Sequence, residues 1–153
     1  MSAAERLAAL GLALPPVTAP VAAYVPAVRT GGYVYVSGQL PVADGKLAAT
    51  GKVGAEVTAE DAAGMARTCA LNAIAAAAEA AGGLDRIRRI VKVVGFVASA
   101  PGFSGQPQVI NGASELLIEV FGEDGKHARS AIGVAELPLN APVEVELIAE
   151  VRD

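Results

Sequence analysis

The segment from Thr58 to Gly83 constrains the fold of this 153-residue chain most, because it predicts one long helix between strand-like segments. Thr58 suits a helix N-cap, and Glu60 and Asp61 place negative charge in the first turn, where it favours the helix dipole. One stripe at helical spacing consists of Met65, Cys69, Asn72, Ala73 and Ala76. Gly82 and Gly83 supply the stop, so the chain does not fit an all-β pattern.

The rest of the chain predicts a second long helix and five strands. The predicted strands cover 24–28, 33–37, 90–98, 128–135 and 143–151, and the helix covers 109–121. A turn at 29–32 joins the first two strands as an antiparallel pair, and the loop at 42–57 holds one more short strand or none. The order strand, strand, helix, strand, helix, strand, strand predicts an α+β fold with the helices on one face of a sheet.

Residues 1–23 are predicted to form an extension to a single domain at 24–153. Ala3 to Leu14 has helical spacing of its leucines, and a proline-rich stretch follows. Residues 7–28 carry no charge, but four prolines interrupt them, so a membrane span is not expected. The N-terminal region is also similar to a signal peptide, but the negative charge of Glu5 offsets the positive charge of Arg6 and the apolar run is short. We therefore expect a cytoplasmic protein.

Composition indicates a core of small aliphatic residues that associates with copies of itself. Apolar residues make up 53% of the chain and aromatic residues 4%, with no tryptophan. Mean hydropathy is +0.45, which is high for so small a domain. Burial of part of the apolar surface between the subunits of an oligomer would explain the high mean hydropathy.

Charge argues against nucleic acid as a partner. The net charge is −4 and the isoelectric point is about 5.0. The densest basic cluster comprises Arg86, Arg88, Arg89 and Lys92, which is interpreted as a solvated strand edge.

Common cofactor and metal motifs are absent. The glycine-rich turns match neither a phosphate-binding loop nor a dinucleotide fingerprint, and no nucleophile elbow occurs. One cysteine, Cys69, and one histidine, His127, rule out a disulfide framework and a zinc site built from these ligands. Cys69 is expected to be a buried inert thiol, and neither a metal nor a cofactor is expected.

The segment Lys126–Ser130 is the strongest candidate for chemistry. On a strand, His127 and Arg129 would point to the same side, since side chains two apart share a face. Arg129 is the sole cation in an otherwise apolar run, so it needs a carboxylate from the protein or from a ligand. Glu144, on the next strand along the chain, could supply it through a salt bridge between neighbouring antiparallel strands.

Several separated motifs together resemble the RidA/YjgF family over 24–151. They are Tyr24, Tyr35–Pro41, Asn72 before Ala80–Gly82, Asn111, Ala128–Ser130, Leu137–Pro138 and Val143–Glu146. The N-terminal extension and Gly125–Arg129 are similar to a longer subgroup labelled endoribonuclease L-PSP or chorismate-mutase-like. The resemblance implies a chorismate-mutase-like α+β fold with a mixed sheet and two helices on one face. It also implies a homotrimer whose sheets close a central barrel, with clefts between subunits.

The resemblance implies hydrolysis of reactive enamines and imines, of the 2-aminoacrylate type, to 2-keto acids and ammonia. Arg129 would hold the substrate carboxylate bidentately, and Glu144 would position water or move a proton. Tyr24 would relay a proton or close the pocket.

The remaining cleft residues implied by the resemblance are Ser37, Gly38, Asn111 and Ala131, and His127 is added as a candidate although it departs from the family pattern. Ser37 lines the cleft, and the backbone near Gly38 and Ala131 contacts ligand. Asn111 is expected at a helix start, where a capping role is equally open. His127 adds a pH-dependent contact or lies in a plain surface turn.

Departures from the family pattern leave other functions open. His127 replaces the usual proline, Ala131 a common cysteine and Ser114 an aromatic residue, while 99–108 is longer than usual. A non-catalytic protein that binds a carboxylated metabolite is the first alternative to the deaminase. RNA cleavage or translation inhibition is the second. Chorismate mutase activity is placed below both, since that label describes a fold.

Overall fold

The computed structural model describes residues 1–153 as an α+β domain with one main sheet. The helices are α1 (Ala3–Ala9), α2 (Ala59–Ala81) and α3 (Gln106–Phe121), with 3₁₀ turns at Leu84–Arg86, Gly122–Gly125 and Pro138–Asn140. The strands are β1 (Ala27–Thr30), β2 (Tyr33–Gln39), β3 (Val42–Ala43), β4 (Lys46–Leu47), β5 (Ile87–Ala98), β6 (Ala128–Val134) and β7 (Val143–Val151). The predicted order of the main elements is confirmed, but the loop at 42–57 holds two short strands, β3 and β4, where one or none was predicted.

The main sheet has the strand order β1-β2-β7-β5-β6. β5 and β6 are parallel, and α3 forms the crossover between them, whereas all other neighbours are antiparallel. The sheet is therefore mixed, as expected. β6 and β1 are its edges, and β5 separates β6 from β7 although these two are consecutive in the chain.

The long helices cover one face of the sheet. α2 packs on β2 and β7, and α3 packs on β5, β6 and α2. β7 alternates regularly: Val143, Val145, Leu147, Ala149 and Val151 are buried on the helix side. The intervening Glu144, Glu146, Ile148 and Glu150 therefore face away from the helices.

Local chemistry explains why α2 forms where it does. The Thr58 side chain accepts a hydrogen bond from the Asp61 backbone amide, and Gly82 ends the helix in the left-handed region at φ 90°. Its alanine-rich surface allows close approach of α3. A β-carbon on Gly112 would overlap the carbonyl of Ala63, so glycine is required at this crossing.

Some predicted boundaries need correction. α1 ends at Ala9 instead of Leu14, since Gly11 takes a left-handed conformation at φ 72°. β1 begins at Ala27 instead of Tyr24, and the hairpin turn is confined to the pair Gly31 and Gly32. None of the helices combines the length and apolar character that crossing a bilayer requires.

Candidate functional site

Arg129 lies on edge strand β6 and points toward α3. Its Nη1 donates to Asn111 Oδ1 at 2.7 Å and to Ser114 Oγ at 3.2 Å. It makes no ion pair with any carboxylate of the chain. Two neutral acceptors therefore hold the guanidinium in place without neutralising its charge, which leaves it able to attract an anion.

The expected salt bridge between Arg129 and Glu144 is wrong. Arg129 pairs with Val93 on β5, and Val93 pairs with Leu147 on β7, all on the helix side. Glu144 lies an odd number of residues from Leu147 and so faces the other side. The pairing fails because β5 separates the two strands.

Asn111 does not cap a helix, so the capping alternative is also wrong. α3 begins at Gln106 after an N-cap at Gly105, which places Asn111 in its second turn. Asn111 and Ser114 are three apart and share one helix face, so both reach Arg129. Their spacing was the sequence signal for this pair of contacts, but the link from Ser114 to Arg129 was missed.

His127 stands beside Arg129, as the strand spacing predicts, and is bonded at both ring nitrogens. Nδ1 lies 2.7 Å from the Gly125 carbonyl oxygen, and Nε2 lies 2.8 Å from Ser114 Oγ. Burial lowers the pKa of His127, the Gly125 contact partly offsets this, and the charge of Arg129 lowers it further. A neutral imidazole is therefore favoured at neutral pH.

Glu144 lies on the helix-free face against Gly38. A β-carbon on Gly38 would overlap the Glu144 carboxylate, so the missing side chain makes room for it. Burial raises the pKa of Glu144, and the charge of Glu146 two residues on raises it further. Such a carboxyl exchanges protons closer to neutral pH than an ordinary glutamate does.

Ser37 precedes Gly38 on β2, and Tyr24 lies in the segment just before β1. Ser37 Oγ donates to the Val25 carbonyl at 2.7 Å, which ties the segment before β1 to β2. Tyr24 is 57% exposed. Ser37 also lines a groove of about 290 Å³ on the helix-free face, together with Val28, Tyr35, Val36, Lys92, Val94, Glu146, Leu147 and Ile148.

The sequence-predicted residues thus form two groups. The first group, on the helix side of β6, comprises Arg129, Asn111, His127 and Ala131, with Ser114 added by the structure. The second, around β2 and the start of β7, comprises Glu144, Gly38, Ser37 and Tyr24. Within one chain, the Arg129 guanidinium and the Glu144 carboxyl therefore lie in separate groups.

No cluster of three or more histidine, cysteine, aspartate or glutamate side chains is placed to hold a metal ion. Cys69 is fully buried in α2, and burial raises the pKa of its thiol well above the usual range. Its Sγ lies 3.8 Å from the Val143 carbonyl oxygen. The predicted burial of this thiol is confirmed, and a buried thiol with a raised pKa is a poor nucleophile.

Comparisons with known proteins cover nearly the whole chain. Residues 4–151 match the family described as "YjgF/chorismate mutase-like, putative endoribonuclease". Protein TCP17 of Trypanosoma cruzi is 45% identical over 151 residues, which cover 98% of this chain and 94% of TCP17.

Solved structures agree in fold. Atu1372 from Agrobacterium tumefaciens, whose function is unknown, gives a TM-score of 0.89 at 47% identity and covers 99% of this chain and 94% of its own. A protein from Shewanella oneidensis MR-1 described as a "putative endoribonuclease" gives 0.94 at 37% identity, with 99% and 100% covered. Escherichia coli TdcF, solved with bound serine, gives 0.61 at 29% identity, with 88% and 92% covered. This chain belongs to the YjgF/chorismate mutase-like family.

Proposed function

We propose that the protein hydrolyses enamines and imines of the 2-aminoacrylate type to 2-keto acids and ammonia. The observation that carries the proposal is the state of Arg129, which is held by Asn111 and Ser114 and has no carboxylate partner in the chain. Substrates of this class carry a carboxylate next to the reacting carbon. The serine bound to TdcF, a structurally similar protein, has a carboxylate in the same position relative to its nitrogen-bearing carbon.

The hydrogen bonds of Arg129 indicate which edge would bind the carboxylate. Nη1 donates to both side chains of α3, whereas Nε and Nη2 have no partner in the chain. A guanidinium can hold a carboxylate through two parallel bonds from Nε and Nη2. This arrangement fixes the orientation of the reacting carbon relative to the protein.

A complete site in this proposal needs two copies of the chain. Arg129 and Glu144 lie on opposite faces of one sheet, so one protomer cannot bring both to a small substrate. The helix-free face exposes Val28, Tyr33, Tyr35 and Ile132, which are between 44% and 51% accessible. A homotrimer that packs these faces into a barrel would bury them and could bring the Arg129 group of one protomer to the Glu144 group of the next.

The reaction needs little beyond orientation and proton transfer. A proton from solvent adds to the enamine CH₂ carbon and gives the iminium ion, and water then adds to its C2 atom. Glu144 takes a proton from the water and returns one to the nitrogen. The C–N bond then breaks while the added hydroxyl gives its proton to solvent and becomes the keto group, and ammonia and the 2-keto acid leave. Tyr24, Ser37 and the backbone at Gly38 and Ala131 would line the cleft.

The test generates 2-imino acids with an amino-acid oxidase and traps them with semicarbazide. Added protein should lower semicarbazone formation, and Arg129→Ala should lose this effect. Arg67→Ala is the matched control, because its ion pair with Glu119 at 3.0 Å is exposed and joins two helices away from the site. No turnover on small or bulky imines from folded wild type would overturn the proposal. Saturable 2-keto acid binding without turnover would instead identify a carboxylate-binding protein.

RNA cleavage, which the family description suggests, is not our proposal. The chain carries a net charge of −4. Two arginines of its basic cluster are also engaged: Arg88 lies 3.5 Å from Glu150, and Arg86 donates to the Arg152 carbonyl. Such a surface offers few free contacts for phosphates.

A further inference from the structure

A continuous chain of hydrogen bonds runs from the backbone through the only histidine to Arg129. It passes from the Gly125 carbonyl to His127, from His127 to Ser114, and from Ser114 to Arg129. The directions of these bonds follow from chemistry. A carbonyl only accepts, so His127 Nδ1 carries the proton and donates at 2.7 Å.

The remaining directions follow in turn. In the neutral ring Nε2 is an acceptor, so the Ser114 hydroxyl donates to it at 2.8 Å. The hydroxyl hydrogen is thereby used, and the lone pairs of Ser114 Oγ are left to face Arg129 Nη1. Arg129 can only donate, so each donor in this series of hydrogen bonds meets an acceptor.

We propose that His127 and Ser114 are positioning residues that fix the Arg129 guanidinium with its Nε and Nη2 edge free for the substrate carboxylate. This inference rests on the proposed role of Arg129 in carboxylate binding. Neither residue needs to touch the substrate. His127 acts through Ser114, and Ser114 acts through Nη1.

Burial and the nearby positive charge of Arg129 keep the His127 ring neutral, as this series of hydrogen bonds requires. The charged group that acts on His127 from β6 is Arg129, and a second cation nearby is unfavourable. In the preceding turn, Lys126 is paired with Glu123 at 2.9 Å, so those two charges largely cancel. Burial opposes protonation as well.

Loss of either positioning residue should loosen Nη1, which then keeps only its hydrogen bond to Asn111 as a firm anchor. The carboxylate would then have to bind a guanidinium that samples several orientations, which costs conformational entropy. We expect Ser114→Ala and His127→Phe each to weaken binding of 2-oxobutanoate about fivefold, as for one lost hydrogen bond. The double variant should be no weaker than Ser114→Ala alone, because His127 acts only through Ser114.

The first test is the tautomer of His127 by ¹⁵N-detected NMR, which is unambiguous because the chain has one histidine. The Nδ1–H form at neutral pH is expected, and the Nε2–H form would overturn the inference. This readout requires neither turnover nor a variant that folds.

The second test is the double-mutant cycle by calorimetry with 2-oxobutanoate as the probe. Thr68→Ala is the hydroxyl control, since Thr68 Oγ1 contacts only the Gly64 carbonyl within α2. A combined loss of about 25-fold in the double variant would show independent effects and overturn the relay. If Arg129→Ala leaves 2-oxobutanoate binding unchanged, the proposed function fails, whereas the tautomer result tests the relay by itself.

Discussion

Arg129 and Glu144 lie on opposite faces of the same sheet, with β5 between their strands. Arg129 faces α3 and is bonded to it, whereas Glu144 faces away from the helices beside Gly38. A substrate of a few heavy atoms cannot reach both within one protomer. If both residues act on it, they must come from different copies of the chain.

The first prediction concerns complementation between two inactive variants. Arg129→Ala and Glu144→Gln should each abolish turnover, but coexpressed in equal amounts they should recover activity. In random trimers, a site made from two neighbouring protomers has both residues intact in about a quarter of cases. Activity of about a quarter of the wild-type level in the whole coexpressed population, measured by the semicarbazide assay, is the expected outcome. Complete inactivity of verified mixed trimers would show that each site draws both residues from one protomer.

The second prediction concerns the contact between Gly38 and Glu144. Gly38→Ala should displace the Glu144 carboxylate, because the new methyl group occupies its place. We expect kcat/KM to fall about tenfold to a hundredfold, since small displacements of a reacting group are costly. Stability should change little, because the displaced group is the end of a flexible side chain.

Gly32→Ala is the matched control for that measurement. A β-carbon at Gly32 meets nothing within 4 Å, and its backbone is not in the left-handed region. Its kcat/KM should equal that of wild type. An unchanged kcat/KM in Gly38→Ala would contradict a role for the position of Glu144.

The helices and strands were predicted well from local features of the sequence. The order of the strands in the sheet was not predicted, and the error about the site follows from that. The bounds of β7 follow from strict alternation, and α2 follows from Thr58 and Gly82 at its ends. Consecutive strands usually lie side by side, which made a salt bridge from Arg129 to Glu144 the natural expectation. Instead α3 is long enough for a crossover, so β6 lies parallel to β5 and β7 takes the other side.

The contacts of Arg129 were likewise only partly predictable. That His127 and Arg129 share a face was predictable, because side chains alternate along a strand and this alternation depends only on local sequence. The bonds to Asn111 and Ser114 depend on how α3 packs over β6, which no local pattern specifies. Once α3 is recognised as the crossover between β5 and β6, the three-residue spacing of Asn111 and Ser114 indicates that both side chains can reach the same strand.

The third prediction concerns the close crossing of α2 and α3. Gly112→Ala would press a methyl group against the Ala63 backbone, which cannot move aside as a side chain can. We expect the free energy of unfolding to fall by about 1–3 kcal/mol, as for other overpacked sites. Gly64→Ala, in α2 with open space around it, should raise it by roughly 0.5–1 kcal/mol. Urea unfolding of both variants measures this, and equal effects would refute the steric explanation.

The fourth prediction concerns pH, because His127 is half-buried next to a cation. Burial and Arg129 lower its pKa in the folded chain, so on acidification the unfolded chain takes up this proton first. Stability should therefore decline as the pH falls below about 6.5, the ordinary histidine value, until the lower pKa of the folded state is passed.

Comparing wild type with His127→Gln isolates this contribution, since the variant keeps all other titrating groups. Glu144, whose pKa is raised, acts with the opposite sign, because the folded state then binds the proton more tightly than the unfolded chain. That effect is common to both proteins and cancels in the comparison. Urea unfolding at fixed protein concentration, from about pH 7.5 to about pH 5, should show the stability of wild type declining relative to His127→Gln. A difference in unfolding free energy that stays constant across this range would mean that His127 titrates alike in the folded and unfolded chain. It would contradict a half-buried, neutral His127 ring beside Arg129.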